Sequence, residues 1–267
     1  MNAMVAKVRT QLLLNPWDET HSTKFKKILV SGCSFTWNNS EKHICTWPYF
    51  AASLMQIDTA NVYDCSQGAS GTAHSLWSII NEIETNPEVS VEDTLVMVMW
   101  SGLTTTDVIG NADDSDQWHL EKQAYHYNKD YGSIALHNNR FATDAIRSHA
   151  NLSKLNLAYK RAVGEDAQVY QSCLNIIALD NYLSNKGYKN CMLTWHDPQY
   201  ALELVDSALA EKVSNLIVNN IESLGSWARR NNMLAEDQLH PGVQAHKEWT
   251  SQVLMPLLYE KKLIDKL

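Results

Sequence analysis

Residues 94 to 100 read TLVMVMW, six apolar side chains in succession after one threonine. A strand with one wet face alternates apolar and polar residues, so an unbroken run this short predicts a strand covered on both faces, in the middle of a parallel sheet. The flanking sequence supplies the covering layers. Apolar runs at Lys26 to Val30, Asn61 to Ser66 and Asn190 to Trp195 predict three more strands, and Asn232 to Ala235 a short fifth. Between them lie helical patterns. One is capped by Thr46, with Pro48 in its first turn, and runs to Gln56. Another spans Thr72 to Thr85, with Leu76, Ile79, Ile80 and Ile83 on one face. Glu165 to Asn185 is closed by Gly187, and Leu202 to Ala228 follows. Val243 to Leu254 comes last and ends or kinks at Pro256. Strands alternating with helices give an α/β domain with crossovers of one hand.

Two segments fall outside this alternation. Residues 1–24 are polar and aperiodic, and are expected to form an N-terminal arm to a domain of residues 25–267. From 107 to 164 the periodicity fades into stretches such as GNADDSDQWH and YHYNKDYGS. A structureless loop of that length is implausible, so an inserted subdomain is expected after the third strand. It would hold one or two helices, for instance Asn151 to Arg161. It starts at a strand's carboxyl end, where it would cover a site.

Composition removes several function classes. The net charge is −8, and basic residues cluster no further than isolated pairs such as Lys26-Lys27, Arg229-Arg230 and Lys261-Lys262, which argues against a nucleic-acid surface. Five cysteines (33, 45, 65, 173, 191) lack CxxC spacing and suit reduced, buried thiols. The apolar run QLLL near the amino terminus is too short for a signal peptide, and no stretch approaches the ~20 apolar residues of a membrane span. A protein that is cytoplasmic or otherwise soluble, without a membrane span, is expected.

The first strand breaks at Gly32, which puts Ser34 on a turn at the strand's carboxyl end, where open α/β sheets place their sites. By itself such a serine reads more readily as a helix cap. Two further blocks change the balance: DCSQGASG, Asp64 to Gly71, and DQLHP, Asp237 to Pro241. GCSFT resembles the GDS-x-[ST] block of the SGNH, or GDSL-type, hydrolases, and DQLHP resembles their carboxyl-terminal DxxH block. The two occur in the family's order, each after a predicted strand.

That resemblance implies a flavodoxin-like three-layer α/β/α sandwich around a five-stranded parallel sheet. It also implies a serine esterase or deacetylase working through an acyl-enzyme, with Ser34 as nucleophile, His240 as general base and Asp237 orienting the imidazole. The implied oxyanion donors are the Ser34 N–H, a glycine N–H that aligns with Gly68 or alternatively Gly71, and an asparagine side chain. The asparagine position holds Leu103. Thr104, its neighbour Thr105, or an amide from Asn138 or Asn139 in the insertion would have to replace it. Cys33 stands where the family has the aspartate of GDS. The implied substrate is a small-molecule ester, an acylated glycan or a lipid ester. No cofactor or metal is implied.

The competing readings are plainer. Neither Cys33 nor Cys65 is followed six residues on by the arginine of a phosphatase loop. His74 suits an exposed helix face, and His119, His126, His137 and His149 lack tight metal-ligand spacing. Asp113, Asp114 and Asp116 read as a solvated loop, and Trp100 and Trp195 as core or cleft walls. His196-Asp197, at the end of the fourth strand, is the runner-up to His240. A flavodoxin-like binding module with altered or lost catalysis, recognising a glycan, acyl group or partner protein, is the alternative function that Leu103 motivates. Nucleotide or flavin binding lacks GxGxxG and GxxxxGK[ST].

Overall fold

The computed structural model describes residues 21–37, 46–68, 70–111, 131–137, 162–217 and 221–266. Strand β1 (His21–Ser22) pairs antiparallel with β8 (Asp265–Lys266). Between them run β2 (Lys27–Gly32), α1 (Trp47–Leu54), β3 (Val62–Asp64), α2 (Thr72–Thr85), β4 (Thr94–Trp100), β5 (Thr105–Asn111), β6 (Tyr131–His137), α3 (Glu165–Lys186) and β7 (Lys189–Thr194). The helices α4 (Gln199–Leu202), α5 (Ser207–Leu216), α6 (Leu224–Arg230) and α7, which begins at Val243–Trp249, follow. Among the described residues the parallel sheet has four strands, ordered β3-β2-β4-β7.

TLVMVMW lies where its composition demands. Every residue of β4 is buried, and its side chains alternate between two cores. Leu95, Met97 and Met99 join Ile28, Val30, Trp47, Trp249 and Leu257 on the face covered by α1 and α7. Val96, Val98 and Trp100 join Leu29, Ile79, Ile176 and Leu179 on the face covered by α2 and α3. The period of two along a strand thus makes one segment the partition between two apolar layers. Each such side chain, fully buried, contributes about 1.5–3 kcal/mol.

Several elements differ from expectation, each for a local reason. The fifth strand expected at 232–235 is a turn instead. Asn232 takes φ +53, and Leu234 makes a lone antiparallel bridge to Pro241. Among the described residues the sheet continues beyond β7 as a parallel bridge, Met192 to Ile217. The helix expected from Leu202 to Ala228 is broken into pieces because polar caps interrupt its apolar period. The Asp206 carboxylate accepts from Leu209 N, and the Ser223 hydroxyl accepts from Ser226 N. In α7 a π turn, Thr250–Leu254, separates Val243–Trp249 from Met255–Glu260, so Pro256 sits at the start of a fresh helical segment. Where the insertion was expected, at about 107–164, the described residues include an antiparallel ladder of β5 with β6, in which Thr105 faces His137 and Asn111 faces Tyr131. The helix expected at Asn151 to Arg161 and most of the N-terminal arm lie outside the described residues.

Candidate active site

Gly32 ends β2 because nothing larger fits. A Cβ there would lie 2.7 Å from the Met99 carbonyl oxygen and closer still to the Thr36 hydroxyl. The chain then turns, with the Cys33 carbonyl accepting from the N–H groups of both Thr36 and Trp37 at 2.9 Å. Ser34 rides half-buried on this turn at the carboxyl edge of the central strands. Helix α1 holds the turn from behind. Thr46, the residue before the helix, donates its hydroxyl to the Thr36 carbonyl at 2.9 Å, and Trp47 Nε1 donates to Thr36 Oγ1 at 3.3 Å. Thr46 makes no side-chain cap bond to α1 itself. Its hydroxyl goes to the serine turn.

The second block forms a tight loop between Leu234 and Pro241. Gln238 adopts φ +57, and the loop is closed by Ala235 N to the His240 carbonyl (2.8 Å) and Gly242 N to the Met233 carbonyl (2.7 Å). One oxygen of Asp237 accepts from the N–H groups of Leu239 (2.9 Å) and His240 (3.0 Å). The other lies 2.6 Å from His240 Nδ1. Desolvation raises the Asp237 pKa, but the His240 N–H, the imidazole and the Leu239 N–H together outweigh it and bring the carboxyl down to about 2. An ionised carboxylate only accepts, so Nδ1 carries a proton, and it is in the neutral ring that Nε2 keeps its lone pair. That nitrogen lies 2.8 Å from Ser34 Oγ. The structure therefore brings Ser34, His240 and Asp237 into one hydrogen-bonded line.

An aromatic wall backs the line. The Phe35 ring lies 5.3 Å from the His240 ring and stacks on Trp195 at 4.3 Å. Trp195 is fixed by α6, whose Gly225 N–H donates to its carbonyl at 2.9 Å. Nothing in the residue pattern identified Phe35 as a wall, because it occupies the variable position of GCSFT. The runner-up pair is not brought to Ser34. His196 Nδ1 bonds the Asp197 carbonyl at 2.9 Å, its ring sits edge-on to Trp195 at 4.4 Å, and the Asp197 carboxylate caps Gln199 N. Burial lowers the His196 pKa against the opposing pull of that loop.

The expected oxyanion residues fall in different settings. The block after β3 is tied to the strand that delivers Ser34. Gln67 N donates to the Gly32 carbonyl at 3.0 Å, and the Ser70 hydroxyl donates to the same oxygen at 3.2 Å. Gly68 lies beneath Trp37, where a Cβ would stand 2.8 Å from the indole, while Gly71 is the cap residue of α2. Leu103 is only 1% exposed and belongs to the apolar core between β4 and α3. Its carbonyl accepts from the Ser172 hydroxyl at 2.7 Å, which fixes the backbone leading into half-buried Thr104. The side chain of Thr105, together with Asn138 and Asn139, lies outside the described residues.

Cys33, beside the serine, is buried, and loss of hydration pushes its thiol up to about 11. It is a packing residue rather than a nucleophile. Cys65, Cys173 and Cys191 are likewise buried. Among the described residues no cluster of three or more His, Cys, Asp or Glu is arranged to hold a metal, and no helix is long and apolar enough to cross a membrane.

No family model matches the chain, and no curated protein matches it in sequence. Among solved structures it is similar to a GDSL-like lipase from Bacteroides thetaiotaomicron, at 12% identity and a TM-score of 0.42, over 97% of this chain and 98% of that one. It is also similar to a candidate acylhydrolase from Bacteroides fragilis, at 12% identity and a TM-score of 0.37, over 98% of this chain and 99% of that one. In sequence the chain resembles the SGNH (GDSL-type) hydrolases through GCSFT and DQLHP, in the order in which that family carries them.

Proposed function

We propose that the chain is a serine ester hydrolase that works through an acyl-enzyme on Ser34. One observation carries the reading: the unbroken line from Asp237 to His240 Nδ1 at 2.6 Å and from His240 Nε2 to Ser34 Oγ at 2.8 Å. An unassisted serine hydroxyl is a poor nucleophile, and this arrangement supplies what it lacks. Ser34 Oγ attacks the ester carbonyl carbon while its proton passes to Nε2, and the carbonyl π pair moves onto oxygen. Collapse of that intermediate expels the alkoxide, which takes the proton back from Nε2 and leaves Ser34 acylated. Water then repeats both steps, releasing the acid and restoring the hydroxyl. Asp237 remains ionised throughout and stabilises the transient imidazolium.

The oxyanion is assigned to the N–H of Ser34 and the N–H of Gly68, or of Gly71 in the alternative alignment. Thr104 is the third donor, with Thr105 as its alternative. Burial of the Leu103 side chain in the apolar core supports this choice, since it removes that residue from the site, whereas its neighbour Thr104 is only half-buried. The substrate is a small ester, an acylated glycan or a lipid ester, and the scheme uses no metal or cofactor. Incubation with a fluorophosphonate probe followed by intact mass tests the reading. One adduct on the wild type and none on Ser34→Ala is expected. A folded wild type that takes up no probe would instead support a binding module.

A further inference from the structure

The two halves of the site come from opposite ends of the chain. Ser34 lies on the turn after β2, whereas His240 lies in the loop just before α7. They form a bond only if that turn and that loop are held in one register, and the sheet supports the turn alone. His246, on the first turns of α7, is 4% exposed. Its Nδ1 accepts from the backbone N–H of Trp47 at 3.3 Å. Trp47 opens α1, so this N–H is one of the donors that a helix start cannot satisfy internally. The same end of α1 holds the Ser34 turn through Thr46 and the Trp47 indole.

We propose that His246 is a positioning residue that sets the separation of Ser34 from His240. Its Nδ1 locks the helix after the His240 loop to the helix end that anchors the Ser34 turn. Each joint of the connection is a hydrogen bond. The Thr36 carbonyl accepts from Thr46, Trp47 N–H donates to His246, and His246 N–H donates to the Gly242 carbonyl at 3.1 Å. Gly242 is in turn tied to Met233 across the base of the His240 loop. Apolar contact between α1 and α7, such as the edge-on pair Trp47 and Trp249 at 6.4 Å, is strong but non-directional, and tolerates small slides. The hydrogen bond does not. The π turn at Thr250–Leu254 begins directly beyond, with the Thr250 hydroxyl donating to the His246 carbonyl at 2.6 Å. The extra residue in that turn offsets the helix faces on either side. His246 and Trp249 before it, Leu254 at its end, and Leu257 and Leu258 after it can therefore all be buried.

This inference deepens the esterase reading, but its first readout is geometric and independent of activity. Crystal structures of wild type, His246→Leu and His246→Asn are compared. Asparagine places an oxygen near the Nδ1 position, whereas leucine keeps bulk and loses the acceptor. The Ser34 Oγ to His240 Nε2 distance is expected to stay within hydrogen-bond reach in wild type and His246→Asn, and to open beyond about 3.5 Å in His246→Leu. The fluorophosphonate labelling rate, and kcat on any ester turned over, should fall ~10-fold to 100-fold in His246→Leu with KM unchanged. Should His246→Leu not fold, Thr46→Val cuts the same connection one joint earlier and is expected to open the same distance. An unchanged distance in the leucine or valine variant overturns the proposal. So does an opening in His246→Asn as large as in His246→Leu, because bulk rather than the acceptor would then be responsible. If no protein takes up the probe while the distances follow this pattern, the positioning role stands and the esterase reading falls.

Discussion

Leu103 shows at the scale of one residue how an alignment and a structure can part. On sequence it occupies the position of a family donor, so Leu103→Asn reads as a repair. In the fold that side chain is packed in the core. An asparagine there leaves a cavity and buries an amide, at a cost of about 3 kcal/mol, and should lower the melting temperature without raising turnover. Thermal unfolding beside an ester assay separates the two outcomes. Thr104→Val tests the proposed donor more directly. It should reduce kcat ~10-fold to 1000-fold with little change in KM, and a silent valine would move the third donor elsewhere. Asp237 adds a pH signature. Its folded pKa, about 2, lies below the ordinary carboxyl value, so its contribution to stability is fully present above the unfolded pKa near ~4 and is lost as pH falls towards 2. Asp237→Asn lacks that contribution at every pH. The gap in melting temperature between wild type and variant should therefore shrink as pH is lowered from 5 to 2, and a gap constant over that range would refute the linkage. Half-exposure of the carboxylate keeps the effect small.

At the scale of elements, the four strands of the parallel sheet were legible, whereas the run at 232–235, the β5-β6 ladder and the helix interruptions were not. TLVMVMW and KILV carry their period and burial in their own composition, and α2 has its predicted bounds because its apolar stripe is uninterrupted. The run from Leu202 to Ala228 also looks helical by period. What divides it is the competition of Asp206 and Ser223 for backbone N–H groups, a signal visible only when capping is weighed against periodicity. The residues of the proposed triad sit in legible surroundings for a related reason. Asp237 and His240 lie on one short loop, so their pairing is local, and Ser34 follows a strand that breaks at a glycine. His246 was not legible, because the Trp47 N–H that it accepts from is 199 residues away in the chain. Gly225 belongs to this scale as well. A Cβ there would lie 2.6 Å from the Trp195 carbonyl oxygen, so Gly225→Ala must push α6 away from the wall behind His240. Urea unfolding should show a loss of about 1–3 kcal/mol, and an unchanged midpoint would mean that α6 shifts freely.

For the whole molecule, the sheet is the reference frame. β2 and β4 pair through Gly32 and Met99, so the turn bearing Ser34 begins from the most deeply buried part of the structure. The loop bearing His240 arrives from the last helical layer and meets that turn at the sheet's carboxyl edge. This division between a rigid central strand and a late-arriving loop is how an open α/β fold builds a site from distant parts of a chain. The central claim is that Ser34, once deprotonated by His240, becomes covalently acylated. It is tested most directly by mixing the protein with an activated acetyl ester, quenching in acid within the first turnovers and mapping the acetyl group by peptide mass. The account predicts acetyl on the peptide containing Ser34, chasing away as hydrolysis proceeds, and absent in both Ser34→Ala and His240→Ala. Hydrolysis without acetyl on Ser34, or acetyl retained on another residue when Ser34 is removed, would contradict it.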